Sequence, residues 1–224
     1  MVASLFWEVE DVLVRTGPLR RTALLRVFAD EALTVPAPDA GAIGDTRETV
    51  RTALREHDLA HDEVAITLLA MRIDREFASL ILAGVSLAPG ACELVAFAAS
   101  SCRLAIVTAL PRATVDALLA LAELDGAFEV IVAGEDVAAA KPAPDAYRKA
   151  VERLHRRRPF DPRSALALES GSAGARAARA AGLRCIVVAP FRVESIVDAD
   201  GMLASLVDET PTSLEAMLAV RAAG

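Results

Sequence analysis

The chain has 224 residues, 54% of them hydrophobic, and 24 basic against 31 acidic side chains leave a net charge of −7. That acidic surplus argues against a nucleic-acid partner, and no apolar run approaches the ~18 residues that would mark a membrane-spanning helix. The length suits one domain, or a core with one insertion, and a mean hydropathy of +0.39 makes a sizeable core easy to bury.

Leu5 to Val9 is apolar and reads as a short buried strand, with Glu8, Glu10 and Asp11 crowding its C-terminal end. Pro18–Leu33 carries Leu24, Leu25, Phe28 and Leu33 at helical spacing. A Pro/Ala/Asp/Gly stretch from Val35 to Gly44 breaks that pattern. Two further helices are expected over Thr46–His57, capped by Asp45 or Thr46, and Asp62–Leu82. This all-helical block interrupts an otherwise alternating chain and reads as an inserted cap at residues 16–86.

From Pro89 onward helices and strands alternate. Helices are expected over Ala91–Ala99, Arg112–Leu124, Pro144–Leu154 and Ala173–Ala181, the last ended by Gly182. Strands are expected over Arg103–Thr108, Phe128–Ala133, Ala165–Glu169 and Arg184–Val188. A last strand and helix are expected over Leu203–Val207 and Ser213–Val220. Continuously apolar strands that alternate with helices predict an α/β fold, a doubly wound (Rossmann-like) parallel sheet covered on both faces. The core is then residues 1–15 and 87–224.

Ligands of such sheets bind at the carboxyl ends of the strands. Four segments there carry chemistry: Glu8 and Glu10, Thr108, Lys141, and Glu169 with Ser170. A hydroxyl, a lysine and several acids are what a magnesium-dependent phosphoryl-transfer site needs. Lysine occurs only at Lys141 and Lys149, in a chain that otherwise uses arginine. His57, His61 and His155 lie in charged helical contexts, and Cys92, Cys102 and Cys185 in apolar ones. An odd number of cysteines without a Cys-x-x-Cys pair points to free thiols in a reducing compartment. With no basic N-terminal region, a cytoplasmic location is expected.

Leu5-Phe6-Trp7-Glu8-Val9-Glu10-Asp11-Val12-Leu13-Val14-Arg15-Thr16 resembles the first motif of the haloacid dehalogenase-like (HAD) superfamily, Phe-Asp-x-Asp-Gly-x-Leu-x-x-Thr. Both family aspartates are glutamates here, and the glycine is Asp11. Pro18-Leu19, Ala133-Gly134-Glu135-Asp136-Val137, Lys141-Pro142-Ala143-Pro144-Asp145-Ala146-Tyr147 and Ala173-Gly174 through Cys185 are similar to the β-phosphoglucomutase-like branch, which includes sugar-bisphosphate phosphatases. The resemblance covers nearly the whole chain and implies roles position by position. Glu8 stands at the nucleophile, which also ligates magnesium, and Glu10 at the general acid/base, whose backbone carbonyl is a metal ligand. Thr108 and Lys141 stand at the phosphate-binding hydroxyl and lysine. Glu169 and Ser170 stand at the remaining metal positions, where Ser170 replaces a carboxylate. Gly44-Asp45-Thr46-Arg47 resembles, more loosely, the cap loop whose arginine touches a substrate's distal group.

The resemblance implies a phosphatase or phosphomutase acting on small phosphorylated metabolites, with Mg2+ as a weakened cofactor, working as a monomer or homodimer. A dehalogenase is less attractive, because Thr108 and Lys141 stand where a phosphate binds. The rival is a catalytically silent member that binds a phosphorylated ligand or a protein partner.

Overall fold

The computed structural model describes residues 2–34, 46–59, 62–189 and 198–222. The chain divides into two compact units, one of residues 1–14 and 87–224 and the other of residues 15–86.

The first unit is built on six strands: β1 (Ser4–Trp7), β4 (Arg103–Val107), β5 (Val130–Val132), β6 (Ala165–Glu169), β7 (Arg184–Val188) and β8 (Gly201–Leu203). They run in the order β5-β4-β1-β6-β7-β8, each pair parallel. Every residue of β1, β4 and β6 is buried, as central strands covered on both faces require. One face packs Phe6, Ala105, Val107, Ala167, Cys185 and Val187 against helices α6 (Asp145–Arg157) and α7 (Ser172–Ala180). On the rest of the sheet, α4 (Ala91–Ala98) lies against β4 and α8 (Pro211–Ala222) against β8, while α5 (Arg112–Leu121) joins β4 to β5. Burying each Leu, Val or Phe side chain contributes roughly 1.5–3 kcal/mol.

Register sets the site. Trp7 pairs with Ile106 on one side and Leu168 on the other. One step further along, Glu8, Val107 and Glu169 come level at the carboxyl ends of three adjacent strands. The Glu8 N–H donates to the Leu168 carbonyl at 2.9 Å, so this alignment continues past the end of β1.

The second unit holds α1 (Gly17–Asp30), α2 (Thr46–Glu56) and α3 (Glu63–Ala83), with α3 packed on both others. Helix α3 buries Ile66, Leu69, Ala70, Ile73, Phe77 and Ile81, a single apolar stripe. Asp62 caps α3 by accepting from the Ala65 N–H at 2.7 Å. A two-stranded sheet pairs β2 (Val14–Arg15) with β3 (Ser86–Leu87).

Some boundaries differ from the sequence expectation. The last strand is Gly201–Leu203 rather than Leu203–Val207. Its position is set by β7, which pairs Ile186 with Gly201 and Val188 with Leu203. Leu206 is buried all the same, held in a loop by its N–H bond to the Pro89 carbonyl at 3.1 Å. Pro144 sits at the N-cap of α6, and the helix runs on to Arg157. Thr46 is the first residue of α2, and its hydroxyl donates across to Asp74 at 2.7 Å. Asp45, Gly44 and His61 lie outside the described residues.

Candidate active site

Glu8 follows β1 directly and is 6% exposed. Its Oε1 accepts from the N–H groups of Val9, at 2.7 Å, and Glu10, at 3.3 Å. The chain can turn so tightly here because Leu13 and Val14 both donate to the Val9 carbonyl and Asp11 adopts φ +60°. That is the left-handed region, which glycine enters freely and aspartate tolerates better than most residues. The substitution of Asp11 for the motif glycine therefore keeps the turn.

Lys141 lies in the loop before α6, and the Lys141–Pro142 peptide is cis. Its Nζ donates to Glu8 Oε2 at 2.7 Å, to Glu169 Oε1 at 2.5 Å and to the Val107 carbonyl at 2.9 Å. All three donors of the ammonium are thereby used. Burial works to remove the charge, but the facing carboxylates of Glu169 and Glu8 outweigh it and hold the group above the ordinary ammonium range. The lysine is therefore a fixed cation held between two acids.

Glu169 ends β6 and is 2% exposed. Burial pushes its carboxyl up, against the pull of the Lys141 ammonium, and the nearby charge of Glu8 adds to the rise. Its Oε2 accepts from the Ser170 N–H at 3.3 Å. Its Oε1 also accepts from the Tyr147 hydroxyl at 2.5 Å. The carboxylate lies on the first turn of α7, whose helix dipole favours an anion there. Gly174 makes room for it, since a Cβ at that position would fall 1.9 Å from Glu169 Oε2.

Thr108 is buried one residue past Val107, and its Oγ1 accepts from the Leu110 N–H at 3.3 Å. The neighbouring loop closes against it through Gly134, whose N–H donates to the Leu110 carbonyl. A Cβ on Gly134 would lie 2.3 Å from the Ala109 carbonyl oxygen. Glu135 and Asp136 serve this scaffold. The Glu135 carboxylate takes the Arg112 N–H at the start of α5, and Asp136 takes Arg153 of α6.

The structure thus brings together Glu8, Lys141 and Glu169, with Thr108, Glu10 and Ser170 adjoining them along the chain. Arg47 belongs to the helical unit, where its guanidinium pairs with Glu63 at 2.7 Å on the surface. Tyr147 and Gly174 were not singled out as site residues by the sequence reading. A signal existed for the first, since Tyr147 is the sole tyrosine of the chain and closes the Lys-Pro-x-Pro-Asp-x-Tyr element. The second stands in the quoted Ala173-Gly174 motif, but its steric clearance for Glu169 appears only once β6 and α7 are folded together.

The donor set bears on magnesium. Among the described residues no group of three or more His, Cys, Asp or Glu side chains is arranged to hold a metal ion. Two carboxylates, Glu8 and Glu169, do face one another, with a single ammonium between them. Magnesium is commonly bound by one or two carboxylates, with water and substrate phosphate completing its octahedron. Glu8 and Glu169 supply that number of carboxylates, so the residues fit such a site.

Comparison with known proteins agrees with this fold. Residues 9–182 match the family model of the haloacid dehalogenase-like hydrolases. Protein CbbY of Rhodobacter capsulatus is 36% identical over 202 residues, covering 82% of this chain and 84% of that protein. The crystal structure of a CbbY variant from Rhodobacter sphaeroides in complex with xylulose-(1,5)bisphosphate is 31% identical, with a TM-score of 0.74 over 93% of this chain and 96% of that one. The HAD-hydrolase YfnB from Bacillus subtilis, bound to magnesium, is 20% identical and shares the fold, with a TM-score of 0.67 over 97% of this chain and 99% of that one. From the family match over most of its length and the relatives on either side of it, the chain belongs to the haloacid dehalogenase-like hydrolases.

Proposed function

We propose that the protein hydrolyses the phosphate ester of a small phosphorylated sugar, with Glu8 as nucleophile. The observation that carries this reading is Lys141 Nζ held between Glu8 and Glu169 at the carboxyl ends of adjacent strands. A buried cation beside a carboxylate is what a transferring phosphoryl group needs, since its charge must be neutralised while a nucleophile is held in line. The complex of a 31% identical relative with xylulose-(1,5)bisphosphate supports the substrate class.

In the first step Glu8 Oε2 attacks phosphorus, and the bond from phosphorus to the sugar oxygen breaks. The leaving oxygen takes a proton from the Glu10 carboxyl. In the second step water attacks the acyl-phosphate, Glu10 accepts its proton, and inorganic phosphate leaves Glu8 free. Lys141 exchanges part of its bonding to Glu8 for phosphate oxygens, and the Thr108 hydroxyl donates to a third oxygen. Glu8, the Glu10 backbone carbonyl, Glu169 and Ser170 would hold magnesium. When bound it supplies charge neutralisation at the phosphoryl oxygens. Residues 16–86 are the proposed cap, with Arg47 as the residue the motif resemblance assigns to a substrate's distal group.

The test is a phosphatase screen over a panel of sugar phosphates, with and without magnesium. Turnover that chelation suppresses and that Glu8→Gln reduces by about a thousandfold is the expected result. A flat panel, with ligands that raise the melting temperature but are never hydrolysed, would put the silent-binder reading in its place.

A further inference from the structure

Glu169 is held by more than the lysine it pairs with. Tyr147 stands in the first turn of α6 and is fully buried, its ring tilted against Phe6 at 6.4 Å between centroids. Its hydroxyl donates to Glu169 Oε1, the same oxygen that takes the Lys141 ammonium. The Lys141 Nζ in turn lies 5.3 Å from the centre of the Tyr147 ring, within cation–π range. One side chain therefore touches both members of the buried pair, the acid through its hydroxyl and the ammonium through its ring face. Burial, and then the negative charge of Glu169, push the phenol well above its usual range, so it stays a donor. Without that donor the partners of the ammonium and carboxylate among the described residues are each other, Glu8, the Val107 carbonyl and the Ser170 N–H.

We propose that Tyr147 is a positioning residue for the phosphoryl-transfer site, fixing Glu169 and through it the place of Lys141 beside Glu8. This rests on the phosphatase reading above. Phosphate entering the site draws Lys141 partly away from its carboxylates, so the bond from Tyr147 to Glu169 must readjust. As the only tyrosine, Tyr147 reports that change without interference from other phenols.

The test compares wild type with Tyr147→Phe, which keeps the ring and removes only the hydroxyl. On whichever sugar phosphate the wild type hydrolyses, kcat is expected to fall on the order of tenfold, as supporting hydrogen bonds around such sites typically cost. KM is expected to stay within about twofold, because the groups that touch substrate remain. A merely structural role would lower the melting temperature and leave kcat alone. In the wild type, inorganic phosphate is expected to shift the infrared ring band of the tyrosine, which the indole of Trp7 does not share, a reading that stands even if Tyr147→Phe fails to fold. Wild-type kcat in Tyr147→Phe, or an unmoved tyrosine band in a wild type that phosphate does stabilise, overturns the positioning role alone. A wild type that hydrolyses no sugar phosphate and gains no stability from inorganic phosphate overturns the phosphatase reading and this role with it.

Discussion

Lys141 Nζ lies 2.7 Å from Glu8 Oε2, although 133 residues separate the two in the chain. The lysine side chain is 11% exposed and the glutamate 7%, so neither charge is stabilised by bulk water. Glu169 completes the group on the far side of the ammonium, at 2.5 Å. The arrangement concentrates two negative charges and one positive charge at the proposed phosphate site.

Removing the cation should therefore damage the fold as well as the site. A solvated lysine could be lost without cost to the free protein, but Lys141→Ala leaves Glu8 and Glu169 facing each other in a buried space. Breaking a buried pair by removing one partner costs on the order of 3–5 kcal/mol. At this chain length that is a fall of roughly 10 °C in melting temperature. Stabilisation by phosphate, sulfate or vanadate should vanish in the same variant. Differential scanning calorimetry with and without oxyanion checks both statements, and oxyanions that protect the variant as well as wild type would place the anchor elsewhere.

The glutamates at positions 8 and 10 and the serine at 170 should make metal binding weak and turnover slow. Each glutamate carries its carboxylate about one methylene too far, and a misplacement on the order of 1 Å can cost about a hundredfold. Submicromolar magnesium affinity without substrate, measured by calorimetric titration, would contradict this. Combining Glu8→Asp, Glu10→Asp and Ser170→Asp should raise magnesium-dependent turnover by at least about tenfold, a barrier change of roughly 1.4 kcal/mol. Glu8→Asp alone should do less, because effects within one site are not additive.

Gly174→Ala should displace Glu169. The added Cβ would lie 1.9–2.0 Å from the carboxylate, so either the acid leaves its place or α7 shifts. Overpacking of this kind typically costs about 1–3 kcal/mol. Activity should fall more steeply than stability, since the displaced group holds Lys141. Chemical denaturation alongside steady-state kinetics separates the two effects; a variant with wild-type turnover would show that the position of Glu169 is unimportant to the reaction.

A pH effect is expected far from the site, at Arg103 and Glu129. Arg103 begins β4 with its side chain 6% exposed, and it donates to both Glu129 oxygens and to the Arg158 carbonyl. Its hydrogen bonds hold the Glu129 carboxyl below the ordinary 4.5, even though burial pushes the other way. Because the folded value is depressed, the pair's contribution is fully present above about pH 4.5 and is lost as pH falls through the lower folded value. The contribution is modest, since Glu129 is 38% exposed and screened by water. The difference in melting temperature between wild type and Glu129→Gln should be constant from pH 6 to about pH 5 and shrink below pH 4.5. A difference that grows on acidification would reverse the assignment.

The order of strands and helices in the first unit was legible from apolar runs and helical spacing alone, and Ala165–Glu169 and Arg184–Val188 end where the sequence says they should. These are local properties, because a buried parallel strand must be apolar along its length and a turn must stop it. Glu8, Lys141 and Glu169 were also legible as candidates, because each closes or follows a strand and belongs to a recognisable motif. What the sequence could not determine is which atoms meet. That Lys141 spends its three donors on Glu8, Glu169 and Val107, that Tyr147 reaches the same oxygen of Glu169, and that Gly174 leaves room for that acid all depend on the sheet register and on where α6 and α7 settle against it. Those are decided by packing between segments far apart in the chain, and only the tertiary structure contains them.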